Sequence, residues 1–501
     1  MLGDQSATFV KEPNVIEQKA YRDTWGKGLD SYLRWFYESV VLLWELLSDD
    51  GSIYVHLDWH VGHYAKAVLD EVFGSDHLLN EIVWYYANKL PTGGDIYDRQ
   101  HDVLFWYGKG NAHIYNKIRV ESEYKGTQLQ TKKVGGKRIP IVDPITGKQV
   151  RVMSSDKPCG DVWRINMIHA QSDERVSYST QKPEELLERI ILASSRPDDT
   201  VLDCFCGSGT TAAVAEKLGR RWITCDLGRF AIHTARKRFL AIENVKPFVV
   251  QNLGKYERQQ WQRAEFGENA EAITQSYREF ILNLYRARPI SGYVWLHGVK
   301  NGHMVHVGGV DAPISVGDVA QIAAEFKRSR GTGKDAPSQN SVDILGWDFA
   351  FELNEVSKQQ AAQAGVDVRF VRIPREVLEK KAVEQGDIKF FELAALSVDV
   401  VQSGKGITLM LKDFVIPLDD VPQEVQSAIT HWEQWIDYWA VDWDNKGDTF
   451  HNQWQSYRTR KAKTLQKQIA SPPGTYKEPG EYKVVVKVID ILGNDTTKTV
   501  R

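Results

Sequence analysis

The chain has 501 residues, 42% of them hydrophobic, and a net charge of −3 from 63 Lys/Arg against 66 Asp/Glu. That length gives room for several domains, and the charge balance excludes a uniformly basic nucleic-acid binder, so any such contact must be local. Its sequence has no run of 18 apolar residues, no leader pattern and no paired CxxC motif among its four cysteines, so we expect a cytoplasmic protein with reduced thiols and no membrane contact. Residues 1 to about 18 are polar and weakly patterned. Apolar positions then recur at helical spacing over Leu29–Leu47, and Ser48-Asp-Asp-Gly51 ends the pattern. Ser52–Leu57 alternates as a strand with Asp58 at its end. A helix is expected over His63–Phe73, stopped by Gly74, and strands over Glu81–Tyr86 and His101–Tyr107, joined by a Pro-Thr-Gly-Gly loop. Strands alternating with helices predict a mostly parallel sheet. Asp58, His60 and His63 have the residue types of a metal cluster. A strand-end acid beside solvated histidines at a helix start explains them without an ion, and no metal is expected.

Residues 117–160 change character, with ten Lys/Arg against four Asp/Glu and a local charge near +6. Gln128–Lys133, Lys137–Val142 and Lys148–Val152 read as short strands around Gly135-Gly136 and Asp143-Pro-Ile-Thr-Gly147 turns. Such a unit can track phosphates, with Lys132, Lys133, Lys137 and Arg138 as the candidate DNA contacts. Charge alone is equally met by a solvated hairpin.

Thr180-Gln181-Lys182-Pro183 opens a helix over Glu184–Ser195, with Pro183 suited to the first helical position. Val201–Leu202 then reads as a buried strand, Cys204–Gly209 as a tight loop and Thr210–Leu218 as a helix. A second short strand, Trp222–Cys225, ends at Asp226. This is half of a doubly wound α/β sheet with its ligand crevice at the strand ends. Gly207 and Gly209 let a ligand approach the backbone, and the helix start behind them favours negative charge. Asp226 stands where a carboxylate can accept both ribose hydroxyls. Gly207-Ser-Gly209-Thr-Thr-Ala212 also satisfies the dinucleotide pattern, and a plain glycine turn in an ordinary α/β unit is the blander account.

Asp203-x-Phe205-x-Gly207-Ser208-Gly209-Thr210-Thr211 resembles the S-adenosylmethionine loop of the amino-methylating DNA methyltransferases, specifically the group related to type III restriction-modification enzymes. Thr-Gln-Lys-Pro at 180–183 resembles that group's other cofactor motif. The resemblance implies a Rossmann-like methyltransferase fold acting on adenine N6 in double-stranded DNA, with cytosine N4 as the alternative. Asp203, Phe205, Cys206, Gly207, Gly209, Thr210 and Thr211 would form the cofactor pocket, with Gln181, Lys182 and Pro183 at the methionine end and Asp226 at the ribose. It also implies an order of parts. Residues 1–116 would be the catalytic half, 117–160 the recognition segment and 161–250 the cofactor half, the two halves sharing one sheet. The group's chemistry uses an Asp/Asn/Ser-Pro-Pro-aromatic tetrapeptide, which the sequence does not contain; Val142-Asp-Pro-Ile and Ser471-Pro-Pro-Gly474 each lack the aromatic. We expect the strand carrying it upstream of Met1, and no catalytic residue is assigned.

Residues 250–280 read as a polar helical connector, and 251–420 as a second α/β domain. Residues 421–501 are aromatic-rich. Trp432, Trp435, Trp439, Trp443 and Trp454 lie near Arg458, Arg460 and Lys461, which can stack bases and hold phosphates; a tryptophan-lined β-sandwich core is the blander account and fits most of the five. Asp442-Trp-Asp444, Arg458–Lys461 and Val488–Asp495 also resemble the C-terminal parts of type III-like modification subunits. The implied protein partners are a restriction or ATPase subunit and a second copy of the chain. Two rivals stand beside the methyltransferase: a non-catalytic DNA-binding or assembly protein of the same family, and a nicotinamide-dependent oxidoreductase on the same half-fold.

Overall fold

A computed structural model describes residues 29–500, apart from 91–92, 94, 170, 177, 179, 268–269, 331–337, 351–352, 354–360, 362–364, 387, 417–420, 422, 448, 459–463, 479 and 492. The chain divides into two compact units, one ending at Phe248 and the other covering Val249–Arg501.

In the first unit, α1 (Leu29–Leu46) and α2 (Gly62–Phe73) flank β1 (Ser52–Leu57) in sequence, and β2 (Leu78–Tyr85) and β3 (His101–Gly108) follow. The sheet order is β1-β3-β2, both pairings antiparallel, so the expected mostly parallel sheet is not what forms. The reason lies in the connections. α2 carries the chain across from β1 to a strand running the same way, but the described residues of 86–100 hold no helix, and β3 returns antiparallel and slots between them. Alternation along the strands sends Ile53, Val55, Phe105 and Tyr107 against Tyr32, Phe36, Val40, Ala65 and Leu69 of the two helices. Tyr54, Leu104 and Trp106 face the opposite side.

Next comes the insertion, β4 (Arg119–Leu129), β5 (Thr131–Val134), β6 (Lys137–Pro140) and β7 (Arg151–Pro158), in which β4 pairs with β7 and β5 with β6. Positive φ at Gly135 and Gly136 closes the β5–β6 turn. β8 (Val162–Arg164) then adds parallel to β2. Helix α3 (Glu184–Ser194) packs Leu186 against the Tyr54 and Trp106 face of that sheet. β9 (Thr200–Asp203), α4 (Thr210–Lys217), β10 (Arg221–Thr224) and α5 (Arg229–Leu240) complete the unit. β9 and β10 pair parallel, and among the described residues they form a separate two-stranded sheet rather than a continuation of the first, contrary to the expected shared sheet.

The second unit begins with α6 (Gly254–Phe266) and α7 (Ala270–Leu284), then β11 (Arg288–Pro289), β12 (Gly298–Lys300) and β13 (His303–Val307). Residues 250–280 are more than a connector, because Tyr277, on α7, is buried in a core cluster with Val305 and Leu345. α8 (Val316–Ser329), β14 (Ser341–Gly346), β15 (Asp367–Arg372), α9 (Lys380–Gln385) and β16 (Phe391–Glu392) follow, with β13, β14 and β15 parallel in a six-stranded sheet. Ser315 caps α8 in a reciprocal box with Asp318. β14 is buried along its whole length, as a central parallel strand should be.

β17 (Ala395–Ser403), β18 (Gly406–Val415), α10 (Gln423–Ala428), β19 (Ile436–Asp442), β20 (Trp454–Tyr457), β21 (Gln468–Ala470), β22 (Val484–Asp490) and β23 (Asp495–Val500) build the C-terminal part as two antiparallel sheets, β17-β18-β21 and β20-β19-β22-β23. The sandwich therefore begins near 395, within the stretch assigned from sequence to the α/β domain. Trp435, Trp439 and Trp443 are buried in its core, with Trp432 and Trp454 packed against them. Most of the five are thus used in packing.

Candidate functional site

β9 ends at Asp203 and α4 starts at Thr210, so six residues turn the chain at the C-terminal edge of the β9–β10 pair. Gly207 (φ +48°) and Gly209 (φ +72°) hold left-handed conformations. A Cβ on Gly209 would stand 2.7 Å from the Ala235 Cβ and 3.1 Å from its Cα, so the loop lies against α5 where no side chain fits. Asp226, just beyond β10, accepts the N–H of Gly207 at 2.9 Å and of Gly228 at 2.8 Å. Asp203 accepts the Phe205 N–H at 3.1 Å. Each carboxylate fixes the loop and keeps lone pairs for a ligand. The Phe205 ring is 60% exposed, its centroid 5.6 Å from that of Trp35 on α1. Burial above all pushes the Cys204 and Cys206 thiols up to about 12, so both are protonated at neutral pH and neither is a nucleophile.

The starts of α3 and α4 and the last turn of α5 meet beside this loop. Arg238 on α5, buried, donates to Glu184 at 2.7 Å and to the Thr210 hydroxyl at 2.8 Å. Lys217 on α4 pairs with Glu184 at 2.5 Å, and the Thr210 hydroxyl donates to the Lys182 carbonyl at 3.3 Å. Burial works to raise the Glu184 carboxyl, but its two cations outweigh that and hold it below the usual carboxylate range. The network fixes the Lys182 backbone against the first turn of α4, where Thr211 is partly buried. Pro183 is the N-cap of α3, with extended ψ of 142°, rather than its first helical residue. The Lys182 ammonium is pushed down by burial, and Asp102 and Asp203 pull it back up.

Gln181, expected at the methionine end of the cofactor, has another role. Its amide accepts from the Val176 N–H at 2.8 Å and donates to the Glu174 carbonyl at 2.7 Å, so both ends shape the preceding loop. Sequence adjacency to Lys182 could not show that.

The strand ends of the first sheet add groups that the sequence reading missed. His56 and Asp102 meet at 3.2 Å, and the Tyr86 hydroxyl donates to Asp102 at 3.4 Å. Burial pushes the His56 imidazole down; it also acts to raise Asp102, but the His56 bond and nearby cations leave that carboxyl below its ordinary value. The pair is a neutral imidazole beside a carboxylate. Burial, then Asp102, pushes the Tyr86 phenol up to about 12. Asp58, Tyr86, Tyr97, Arg99 and Asp102 wall a cavity of about 280 Å³, and the Arg99 guanidinium lies 3.7 Å over the Trp59 ring. Asp58 is held by His60, through its N–H at 3.0 Å and its ring at 2.8 Å.

The candidate DNA contacts separate in space. Lys133 pairs across the hairpin with Arg138, while Lys132 faces Ile139 and Val134 faces Lys137. Alternation therefore puts Lys133 and Arg138 on one face and Lys132 and Lys137 on the other, all exposed. In the second unit, Arg458 donates to the carbonyls of Ile436 at 3.0 Å and Glu433 at 2.8 Å, a structural use. Arg460 and Lys461 lie outside the described residues.

Residues 10–237 match the family model for DNA methylases. That match covers under half of the chain and is a likeness to DNA methylases. Within it, β9, α4 and β10 form a parallel strand–helix–strand unit of the Rossmann-like kind. The chain is 28% identical over 259 residues to the type II methyltransferase M.EcaI of Enterobacter cloacae, covering 42% of this chain and 57% of the relative. It is 29% identical over 213 residues to M1.MboII of Moraxella bovis (41% and 78%) and 31% identical over 219 residues to M.BglII of Bacillus subtilis (40% and 55%). The chain thus spans little more than half the length of two of these three. Among solved structures it is similar to an M1.HpyAVI–SAM complex at 21% identity, with a TM-score of 0.28, covering 42% of this chain and 82% of that one. It is also similar to PvuII DNA methyltransferase, cytosine-N4-specific, at 19% identity with a TM-score of 0.30, covering 43% and 72%. Among the described residues, no helix is long and apolar enough to cross a membrane.

The residues fit S-adenosylmethionine, the cofactor the sequence resemblance implies: the Phe205 ring is exposed beside the loop, Asp203 and Asp226 keep acceptor capacity, and the Lys182 ammonium stands near Asp102 and Asp203.

Proposed function

We propose that the protein is a DNA amino-methyltransferase of the type III-like modification group that acts on adenine N6. The observation that carries the reading is the open edge of the β9–β10 pair, where the Asp203–Thr211 loop and Asp226 present backbone and carboxylate groups outward. In the chemistry implied, Asp226 holds the ribose hydroxyls, Lys182 meets the methionine carboxylate, and the loop glycines admit the backbone-hugging part of the cofactor. When bound, S-adenosylmethionine supplies an electrophilic methyl group. This chain's part is then to extrude and orient the base, since positioning is most of such catalysis. The cavity walled by Asp58, Tyr86 and Asp102 suits a base, with aromatic faces to stack on and carboxylates to accept from an exocyclic amine. The exposed β5–β6 hairpin supplies phosphate contacts to double-stranded DNA, and the sandwich of the second unit is a docking part for a restriction or ATPase subunit.

Cytosine N4 is the second reading, because its exocyclic amine offers the same two donors to the carboxylates of that cavity. Nucleoside mass spectrometry of duplex DNA methylated by the full-length protein separates them. N6-methyladenine is expected; N4-methylcytosine in its place would overturn the adenine assignment.

A further inference from the structure

Three of the described tryptophans in the first unit, Trp35, Trp44 and Trp59, are more than a third exposed. Two of them already carry a cation of this chain, with Arg99 3.7 Å over Trp59 and Lys109 5.1 Å over Trp44. Trp35, on α1, has no cation over its ring among the described residues. Its neighbour is instead Phe205 of the Asp203–Thr211 loop, 60% exposed, with ring centroids 5.6 Å apart and planes at 59°. Among the described residues no cation lies over Phe205 either.

Two bare rings beside a carboxylate suit a cation, because ring faces are the negative part of the aromatic quadrupole. The carboxylate is Asp203, which accepts the Phe205 N–H at 3.1 Å. The Lys182 ammonium does not serve the rings, since it is drawn to Asp102 and Asp203 and donates to the Thr180 carbonyl at 3.3 Å. Geometry argues against a flat guest held between the rings. A sandwiched base needs parallel faces about 7 Å apart, twice the contact distance. A compact cation needs only the open side of a tilted pair.

The position of Trp35 supplies the rest. Tyr32 lies one turn before it on α1, with ring centroids 5.7 Å apart. Burial raises the Tyr32 phenol above its ordinary value, and the Asp58 carboxylate raises it further, so Asp58 is near. Asp58 lines the cavity of about 280 Å³ described above. One turn of α1 thus links the loop to that cavity, and Trp35 stands at the loop end of the link. A methyl group passed from a donor at the loop to a base in the cavity leaves from this side.

We propose that Trp35 is a further cofactor-binding residue, whose ring joins that of Phe205 in cation–π contact with the sulfonium of S-adenosylmethionine. This rests on the methyltransferase reading above. It gives the site a means of telling donor from product, because S-adenosylhomocysteine carries a neutral thioether in place of the sulfonium.

Titration calorimetry of the full chain with each of the two ligands tests this, on the parent, Trp35→Leu and Trp35→Phe. Trp35→Leu should weaken S-adenosylmethionine about fivefold and leave S-adenosylhomocysteine unchanged. Trp35→Phe keeps an aromatic face and should recover most of the loss. Both ligands report on the same folded molecules, so the ratio of their affinities does not move if a variant is merely less stable. An unchanged ratio would overturn the proposal and leave the cofactor reading standing, whether both ligands weaken equally, as stacking on the purine would give, or neither weakens. Binding of neither ligand by the parent chain would overturn both.

Discussion

Both units carry parallel strands whose C-terminal ends meet glycine-containing loops, but the two edges are finished differently. In the second unit the edge is filled by the chain itself. Arg258 on α6 donates to the Val310 carbonyl at 3.0 Å and to Asp348 at 2.7 Å. Tyr277 donates to the Gly308 carbonyl at 2.9 Å, and the Trp347 indole donates to Tyr277 at 2.8 Å. A Cβ on Gly308 would meet the Ile314 Cδ1 at 2.6 Å, so that glycine exists for packing. In the first unit the glycines meet α5 and Tyr178, while Phe205 is left exposed and Asp203 and Asp226 keep acceptor capacity. A strand edge becomes a site when its polar groups are held in place but not used up; glycine alone does not mark one.

The contrast can be broken from either side. The largest effect is expected at the closed edge. Arg258→Ala leaves the Val310 carbonyl and the part-exposed Asp348 without their donor and empties the buried guanidinium site, and should cost about 2–4 kcal/mol in the unfolding transition of the second unit. S-adenosylhomocysteine affinity should stay unchanged, and calorimetry of both properties checks this. Gly209→Ala comes next. The left-handed backbone and the Ala235 clash should together cost about 2–3 kcal/mol of first-unit stability and remove cofactor binding.

Glu184→Gln should cost less, about 1–2 kcal/mol, because the carboxylate is a quarter exposed and its ion pairs are partly screened. Its pH dependence has a definite sign. The folded-state pKa of Glu184 is depressed, so its contribution is complete above the unfolded value of about 4.3 and is lost as pH falls through the lower folded value. Acid titration of unfolding should therefore be shallower in Glu184→Gln than in the parent chain. The smallest effect concerns the hairpin. Neutralising Lys133 and Arg138 together, or Lys132 and Lys137 together, should flatten the salt dependence of duplex binding for one pair only. The slope should change by about 0.9 for each phosphate that is no longer neutralised, as measured by fluorescence anisotropy across a salt series.

Much of this was legible in the sequence. The loop and its two glycines announce themselves, because positive φ and close approach require that residue, and the strand–loop–helix order locates them. The direction of β3 was also legible in principle, since a helix-free connection from β2 permits only an antiparallel return. Pairings made by register were not. His56 and Asp102 stand 46 positions apart and meet only because β1 and β3 pair. Nor could sequence say that Gln181 turns away from the loop its neighbour Lys182 approaches, or that alternation divides four hairpin cations between two faces. The C-terminal tryptophans follow the same logic in reverse, with aromatics beside a basic run serving as core.

The central claim is that the open edge binds S-adenosylmethionine. Titration calorimetry of the purified chain with S-adenosylhomocysteine and with NAD tests it, each repeated on Asp226→Ala. The account predicts binding of the first ligand alone, weakened by about 1–3 kcal/mol in the variant because buried ribose hydroxyls lose their acceptor. Tight NAD binding with no response to S-adenosylhomocysteine or S-adenosylmethionine would contradict it.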